Sequence, residues 1–188
     1  MLALSMAELQ ILDWIAENCR TAWLDVVFPV ITSMANDGII WIALTLVLLA
    51  IKSQREYGAQ AAIALIIGFV LCNCVLKTAV DRIRPFELAN ITELLVRPPT
   101  DASFPSGHST ASFAMSTVLL LNRHPLRWPV LILSVLIALS RLYLYVHYPT
   151  DVLAGVLLGI LNGVLAVTLW RKVIRPRLLS RKKAKTAP

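Results

Sequence analysis

The sequence SRLYLYVHYPTD, residues 140–151, decides the fold, because it places charged groups between two long apolar segments. Arg141, His147 and Asp151 all lie in this short stretch. Ionisable groups are costly in hydrocarbon, so they usually face one another or a water-filled cavity and mark a functional site. The alternative is that Arg141 extends to the membrane surface while His147 and Asp151 only end and begin helices.

The composition of the chain indicates a membrane protein. Its 188 residues are 57% hydrophobic and only 15% charged, whereas about a quarter of the residues in a soluble domain are charged. The net charge is +7, but eight of the eighteen Lys and Arg residues lie in residues 171–185. A basic tail against anionic lipid explains this charge. We therefore expect no binding to nucleic acid, for which no recognition motif is present.

Long apolar segments predict an all-α fold, a polytopic membrane helix bundle with five spanning helices. The segments are residues 38–51, 57–76, 109–122, 128–146 and 152–170. Residues 6–36 begin with an amphipathic pattern that places Glu8 on the polar side, and they continue into a short apolar run with Asp25 and Pro29. We expect interfacial N-terminal helices there, and a sixth span remains an alternative.

We predict one membrane-embedded domain over residues 1–188. Residues 1–36 would form the interfacial helices, residues 37–171 the catalytic bundle, and residues 172–188 a basic cytoplasmic tail. Basic residues in the connections 52–57 and 122–127 share one side with this tail, and that side is then cytoplasmic. The three polar clusters of the sequence all fall on the opposite, extracytoplasmic face of the inner (plasma) membrane.

The first polar cluster is KTAVDRIRP, which begins at Lys77. If the helix continues, Lys77, Asp81 and Arg84 lie at i, i+4 and i+7 on one face, and the following proline ends the helix near Arg84. A lysine and an arginine on one stripe suit an oxyanion with several oxygens. The alternative is that they mark the membrane interface, which is the preferred interpretation for Arg82 and Arg97.

The second cluster is SFPSGHS, residues 103–109. Ser106 is placed to cap a helix that begins near His108. The free N–H groups at such a helix start, together with its dipole, bind anions, and His108 could protonate a group bound there. An ordinary helix cap with a surface histidine is the alternative.

The third cluster is the opening stretch. Arg141 offers a two-pronged guanidinium to oxygen atoms. His147 precedes a proline that ends its helix, and Asp151 follows in the next helix. A carboxylate this close can hold one imidazole nitrogen and leave the other free to attack. The remaining histidine, His124, is expected in a solvated cytoplasmic loop.

In identity, order and spacing, these clusters resemble the type-2 phosphatidic acid phosphatase superfamily, over about residues 38–170. That superfamily includes lipid phosphate phosphatases, undecaprenyl diphosphate phosphatases, glucose-6-phosphatase and the vanadium haloperoxidases. The resemblance implies that His147 attacks phosphorus and forms a phosphohistidine. It also implies that Asp151 orients the His147 ring and that His108 protonates the leaving oxygen.

The resemblance further implies a phosphate-binding set, formed by Lys77, Arg84, Ser106, Gly107 and Arg141. It implies no cofactor and no metal, because positive side chains supply the charge stabilisation that phosphoryl transfer needs. Asp81 has no fixed role in the family, and the sequence offers it as a partner of Lys77.

The expected substrate is a membrane lipid phosphate, with undecaprenyl diphosphate as the first choice. Phosphatidylglycerol phosphate, phosphatidic acid and lipid A phosphate are alternatives, as is a phosphotransferase that passes the phosphoryl group to a lipid or sugar acceptor. A non-enzymatic carrier or lipid-binding scaffold would instead bind phosphate esters without turnover. The expected partners are the lipid substrate and, through the basic tail, an anionic lipid surface.

Overall fold

The computed structural model describes residues 2–186, and every regular element in that range is helical, which confirms the all-α prediction. Two π-helical stretches, Val70–Leu76 and Trp170–Ile174, continue one α-helix into the next without a break. The α-helices are α1 (Leu2–Asn18), α2 (Ala22–Ser33), α3 (Ile39–Ala50), α4 (Arg55–Phe69), α5 (Lys77–Val80), α6 (Pro85–Leu88), α7 (Gly107–Leu121), α8 (Arg127–Tyr143), α9 (Pro149–Leu169) and α10 (Arg175–Thr186).

The helix α7 lies at the centre of the bundle and contacts α4, α8 and α9. Its small Ser, Thr and Ala side chains are largely buried, and small residues let neighbouring helices approach closely. Their hydroxyl groups find partners across the contacts. The indole nitrogen of Trp41 donates to Ser112 Oγ at 3.0 Å, and the hydroxyls of Ser116 and Ser134 lie 2.7 Å apart. The core is therefore pinned by buried hydrogen bonds as well as by apolar packing.

The contact between α7 and α9 is a close approach of two backbones. A Cβ atom added to Gly155 would lie 2.5 Å from the carbonyl oxygen of Ser106, and one added to Gly159 would lie 2.5 Å from that of Thr110. Neither position has room for a methyl group, and the obstacle is backbone that cannot rotate away. Glycine is therefore required at both positions to bring α9 against the start of α7.

Two apolar clusters divide the interior. The larger one fills the middle of the bundle around Trp41, Met115 and Ile137. The second lies at the end of the bundle that carries the polar motifs, and it joins Leu12 of α1 to Phe86 and to the turn after α8. This second cluster gives the turn with His147 an apolar support.

The prediction of five spanning helices is not confirmed. Helices occupy all five predicted segments, but among residues 2–186 only two helical stretches, Lys52–Leu88 and Pro149–Ser180, are long and apolar enough to cross a membrane. A third crossing is present if Ala22–Ser33 and Asn36–Ala50, which meet at a bend of 45°, form one broken span. Two or three such helices are typical of a membrane protein.

The N-terminal helices α1 and α2 both pack against α8. Leu12 is fully buried, and Glu8 is only 4% exposed, so the prediction that Glu8 faces the polar side is wrong. Glu8 can be buried because its carboxylate is paired with the guanidinium of Arg82. Most of the predicted basic tail is helical in α10, whereas Met1 and residues 187–188 lie outside the described residues.

Candidate active site

The three polar clusters of the sequence meet around one cavity of about 910 Å³. Six of the predicted site residues line it: Lys77, Arg84, Gly107, His108, Arg141 and His147. The other two, Ser106 and Asp151, are fully buried and do not line the cavity. The structure therefore brings together groups that lie up to seventy residues apart in the sequence.

The turn between α8 and α9 places the His147–Asp151 pair. The helix α8 ends at Tyr143, three residues before the predicted end of that span, and Tyr145 adopts a left-handed conformation with φ of 60°. His147 therefore stands in the turn itself. The helix α9 begins at Pro149, and the Asp151 carboxylate accepts a hydrogen bond from the backbone N–H of Tyr148 at 3.0 Å, which caps the helix.

The imidazole of His147 is buried between a carboxylate and an arginine. Its Nδ1 faces Asp151 Oδ2 at 3.5 Å, and its Nε2 lies 3.3 Å from Arg84 Nη1. The pKa of His147 is lowered to about 3, chiefly because burial disfavours the charged ring. The charges of Arg84 and Arg141 act in the same direction, and Asp151 opposes them. The ring is therefore neutral at physiological pH, the protonation state in which an imidazole nitrogen can act as a nucleophile.

Arg84 is fixed at the floor of the cavity by carbonyl and carboxylate oxygens. Its Nη1 donates to the carbonyl of Val146 at 2.7 Å, and its Nε donates to the carbonyl of Asp101 at 2.8 Å. Its Nη2 donates to the carboxylate of Asp101 at 2.6 Å. The other carboxylate oxygen of Asp101 pairs with the ammonium of Lys77. Lys77 and Arg84 thus converge on one anionic group.

The geometry of the first cluster differs from the prediction. The helix α5 ends at Val80 because Asp81 adopts a left-handed conformation with φ of 43°, so Lys77, Asp81 and Arg84 do not share a helical face. The partner of Lys77 is Asp101, and the prediction of Asp81 for that place is wrong. The sequence holds a signal for this pairing. Asp101 stands just before the SFPSGHS motif, which the loop charges place on the same face of the membrane as Lys77.

Asp101 is held as an anion. Burial alone would raise its pKa, but hydrogen bonds and charges from Lys77 and Arg84 outweigh burial and lower the pKa to about 2. Its side chain remains 52% exposed. A charged and partly exposed carboxylate therefore occupies the place where two cations could hold a phosphate.

Arg141 reaches the cavity from α8. It is only 3% exposed, its Nη1 donates to Thr32 Oγ1 at 2.5 Å, and it faces the cavity shared with His147. Within the described residues its Nε has no hydrogen-bond partner. A buried guanidinium with an unpaired donor is costly, and a bound anion would supply the missing acceptor.

The second cluster contributes Gly107 and His108 to the lining of the cavity. The prediction that Ser106 caps a helix is confirmed, because its Oγ accepts from the N–H of Ser109 at 3.4 Å. Its own N–H donates to the carbonyl of Asp151 at 3.0 Å, which couples α7 to α9. The helix begins at Gly107, and Nε2 of His108 lies 3.0 Å from Asn36 Oδ1.

Arg82 was predicted to mark the membrane interface, and this prediction is wrong. It is 5% exposed, and its guanidinium bonds to Asp151 Oδ1 at 2.6 Å and to Glu8 Oε2 at 2.5 Å. Arg97 is exposed and lines the cavity. His124 lies in the connection between α7 and α8, as predicted, but the prediction that it is solvated is wrong, because it is only 5% exposed and its Nε2 lies 3.2 Å from Gln54 Oε1.

Comparison with known proteins supports the assignment of these motifs. The family model of the PAP2 superfamily matches residues 58–175, which is more than half of the chain. Undecaprenyl-diphosphatase from Sulfolobus acidocaldarius is 39% identical over 131 residues, which cover 69% of this chain and 63% of that protein. Undecaprenyl-diphosphatase BcrC from Bacillus subtilis is 32% identical over 142 residues, which cover 76% of this chain and 72% of that protein.

A solved structure has the same fold over almost the whole chain. The transmembrane PAP2-type phosphatidylglycerolphosphate phosphatase from Bacillus subtilis superimposes with a TM-score of 0.73 and 25% identity. The match covers 92% of this chain and 89% of that one. The family match, the fold and the three motifs around the cavity agree, and the resemblance stated from the sequence is confirmed: the chain belongs to the PAP2 superfamily.

Proposed function

We propose that this protein is an integral-membrane lipid phosphate or diphosphate phosphatase that acts through a phosphohistidine, with undecaprenyl diphosphate as its substrate. The observation that carries the proposal is the His147–Asp151 pair at a cavity whose lining includes the cationic side chains of Lys77, Arg84 and Arg141. A neutral imidazole beside a carboxylate supplies the nucleophile, and the cations supply the charge stabilisation.

In the first step, Nε2 of His147 uses its lone pair to form the bond to phosphorus, and the bond from phosphorus to the leaving oxygen breaks. Asp151 faces Nδ1 and stabilises the positive charge that the ring acquires. His108 gives a proton to the leaving oxygen. In the second step, water attacks phosphorus, His108 takes a proton from that water, and the bond to His147 breaks to release phosphate.

The oxygens of the transferred phosphoryl group would be held by Lys77, Arg84, Arg141 and the backbone N–H of Gly107 at the start of α7. The Ser106 hydroxyl is committed to the helix cap, so its contribution in this proposal is to fix the first turn. The scheme assigns no step to a metal. Among residues 2–186, no group of three or more His, Cys, Asp or Glu side chains is arranged to hold one.

The walls of the cavity support a lipid substrate. Next to the cationic end, the cavity is lined by the apolar side chains of Ile42, Ile66 and Phe69, and Ile66 and Phe69 are each more than 60% exposed. A phosphate group could bind at the cations while its hydrocarbon chain leaves across this apolar edge. The two undecaprenyl-diphosphatase relatives favour a polyprenyl diphosphate.

The orientation follows from the distribution of basic residues. We propose a multi-pass protein of the inner (plasma) membrane, with the active site on the extracytoplasmic face and the basic tail on the cytoplasmic face against anionic lipid. Labelling of single cysteines placed in the loop 90–103 and in the tail, with a membrane-impermeant reagent on intact cells, tests this. Labelling of the tail, or protection of the loop, would contradict it.

Phosphate release by the purified protein tests the activity. The panel consists of undecaprenyl diphosphate, phosphatidylglycerol phosphate, phosphatidic acid and lipid A phosphate, each with a chelator present. We expect His147→Ala to lose at least about a thousandfold in kcat, whereas His124→Asn, a histidine distant from the cavity, keeps its activity. Full activity in His147→Ala, or complete dependence on added metal, would contradict the mechanism. Transfer of label to an acceptor in preference to water would identify a phosphotransferase.

A further inference from the structure

A buried chain of charged groups runs behind Asp151 to the N-terminal helix. We propose that Glu8 of α1 is a positioning residue for the reaction, acting through Arg82 on Asp151 and so on His147. The inference rests on the proposed function, since it concerns the rate at which His147 is phosphorylated. Glu8 lies outside the three motifs. Arg82 lies within the first motif, KTAVDRIRP, but is not one of the predicted site residues.

The guanidinium of Arg82 uses all five of its N–H donors in this chain. Its Nη1 donates to Asp151 Oδ1 at 2.6 Å and to Thr150 Oγ1 at 2.8 Å. Its Nη2 donates to Glu8 Oε2 at 2.5 Å and to Ser5 Oγ at 2.9 Å, and its Nε donates to Ser5 Oγ at 3.2 Å. An arginine with every donor engaged cannot rotate without breaking several bonds, so it holds Asp151 in one orientation.

The ring of Tyr148 packs against the guanidinium of Arg82. It lies 3.8 Å from Arg82 Cζ, and the backbone N–H of the same Tyr148 holds Asp151 Oδ2. The hydroxyl of Ser103 donates to that same Oδ2 at 2.5 Å. Both oxygens of Asp151 are therefore directed by the protein, Oδ1 by Arg82 and Oδ2 by Tyr148 and Ser103.

Glu8 acts at two points of this arrangement. Besides its contact with Arg82, it accepts a hydrogen bond from the backbone N–H of Thr150 at 2.7 Å and one from the Thr150 hydroxyl at 3.0 Å. Thr150 belongs to the first turn of α9, where a carboxylate is stabilised by unpaired N–H groups. Glu8 therefore fixes the helix start that carries Asp151 as well as the arginine that directs it.

The charges explain why a carboxylate is needed at this position. Glu8 and Asp151 together carry two negative charges against the one positive charge of Arg82. The surplus negative charge favours the positive ring that forms when His147 is phosphorylated. Without the charge of Glu8, Arg82 would neutralise Asp151 alone, and the new charge on His147 would be stabilised less.

The test uses the full-length protein and compares Glu8→Gln with Asp13→Asn. Asp13 Oδ1 accepts from the hydroxyl of Tyr145 at 2.6 Å, so it ties the same helix α1 to the same turn without reaching Asp151. We expect Glu8→Gln to lower kcat and the rate of phosphohistidine formation about tenfold, with KM changed less than about twofold, because the loss concerns a charge stabilised in the transition state. Asp13→Asn should leave kcat within about twofold of wild type.

Arg82→Lys provides a second variant if Glu8→Gln does not fold. It keeps the charge but has too few donors in the required geometry to reach both carboxylates, so kcat should again fall at least about tenfold at unchanged KM. Wild-type kcat in either folded variant would overturn the inference, as would equal losses in Glu8→Gln and Asp13→Asn. If His147→Ala were active, the proposed function would fail instead, so the two failures are distinguishable.

Discussion

Two carboxylates lie beside the proposed active site, and their surroundings differ. Asp151, at the start of α9, is fully buried and accepts from Arg82, Ser103 and Tyr148, none of which lines the cavity. Asp101, in the loop before α7, has a half-exposed side chain, and its carboxylate is paired with Lys77 and Arg84 at the cavity floor.

The difference indicates different roles during turnover. The residues that donate hydrogen bonds to Asp151 do not line the cavity, so nothing in the proposed reaction requires that carboxylate to move. The partners of Asp101 are the cations that are proposed to hold phosphate, so a bound phosphate must displace its carboxylate or share those cations with it. Asp151 is built to remain in place, whereas Asp101 is placed where it competes with the substrate.

The largest effect should follow from Asp151→Asn. The substitution keeps the shape but removes the charge that faces Nδ1 of His147, and the equivalent change in an Asp–His pair of a serine protease lowers kcat by about ten thousandfold. We expect a loss of about a thousandfold or more in kcat for release of phosphate, without loss of fold by circular dichroism. A loss below tenfold would show that Asp151 is only structural.

A smaller effect of opposite sign is expected from Asp101→Asn. Removal of the competing charge frees Lys77 and Arg84 to bind phosphate. A ligand binds more tightly when more of the protein is in the state that can bind it, so inorganic phosphate should inhibit about three- to tenfold more strongly. The inhibition constant for phosphate measures this directly. Unchanged or weaker inhibition would mean that Asp101 orients Arg84 for the substrate, and the proposed contrast between the two carboxylates would not hold.

The smallest expected effect concerns the free energy of unfolding rather than the rate. Its pH range distinguishes His147 from Asp101. The pKa of His147 in the folded protein, about 3, lies below its usual value, so between pH 6.5 and 3 the unfolded chain binds a proton that the folded protein does not. Stability should therefore fall on acidification through that range, by at most about 1.4 kcal/mol per pH unit from this one group.

Thermal unfolding in detergent at pH 7 and pH 4.5 measures that slope. His147→Gln should lose less melting temperature between these values than wild type. Asp101→Asn should not change the slope there, because the stabilisation from a carboxylate with a pKa of about 2 is lost only as the pH falls below about 4. An identical slope in His147→Gln and wild type would contradict the neutral buried ring.

The sequence predicted those parts of the site that are local. His147 and Asp151 are four residues apart, and Ser106 and His108 flank one helix start, so spacing alone placed each pair. The basic residues in the loops predicted that the three clusters share one face, and the cavity confirms that they meet. Periodicity within a segment carries this information, because neighbours along a helix have fixed relative positions.

The missed contacts are pairings between segments that are distant in the sequence. Glu8, Arg82 and Asp101 are charged residues near apolar runs, a pattern that also fits residues at a membrane surface. Only the packing of α1 against α8, and the return of the loop 90–103 to the cavity floor, show that they are paired. The end of α5 at Val80 was missed for a related reason, because a left-handed Asp81 has no clear signal in the sequence.

The close contact of α7 and α9 has a consequence for how new substrate preferences could arise. His108 and Asp151 lie on these two helices, and glycines at 155 and 159 set the spacing through backbone contact. The apolar wall of the cavity, with Ile42, Ile66 and Phe69, belongs to α3 and α4 instead. Selection or design could therefore reshape the wall to accept other hydrocarbon chains while the reacting groups keep their distances.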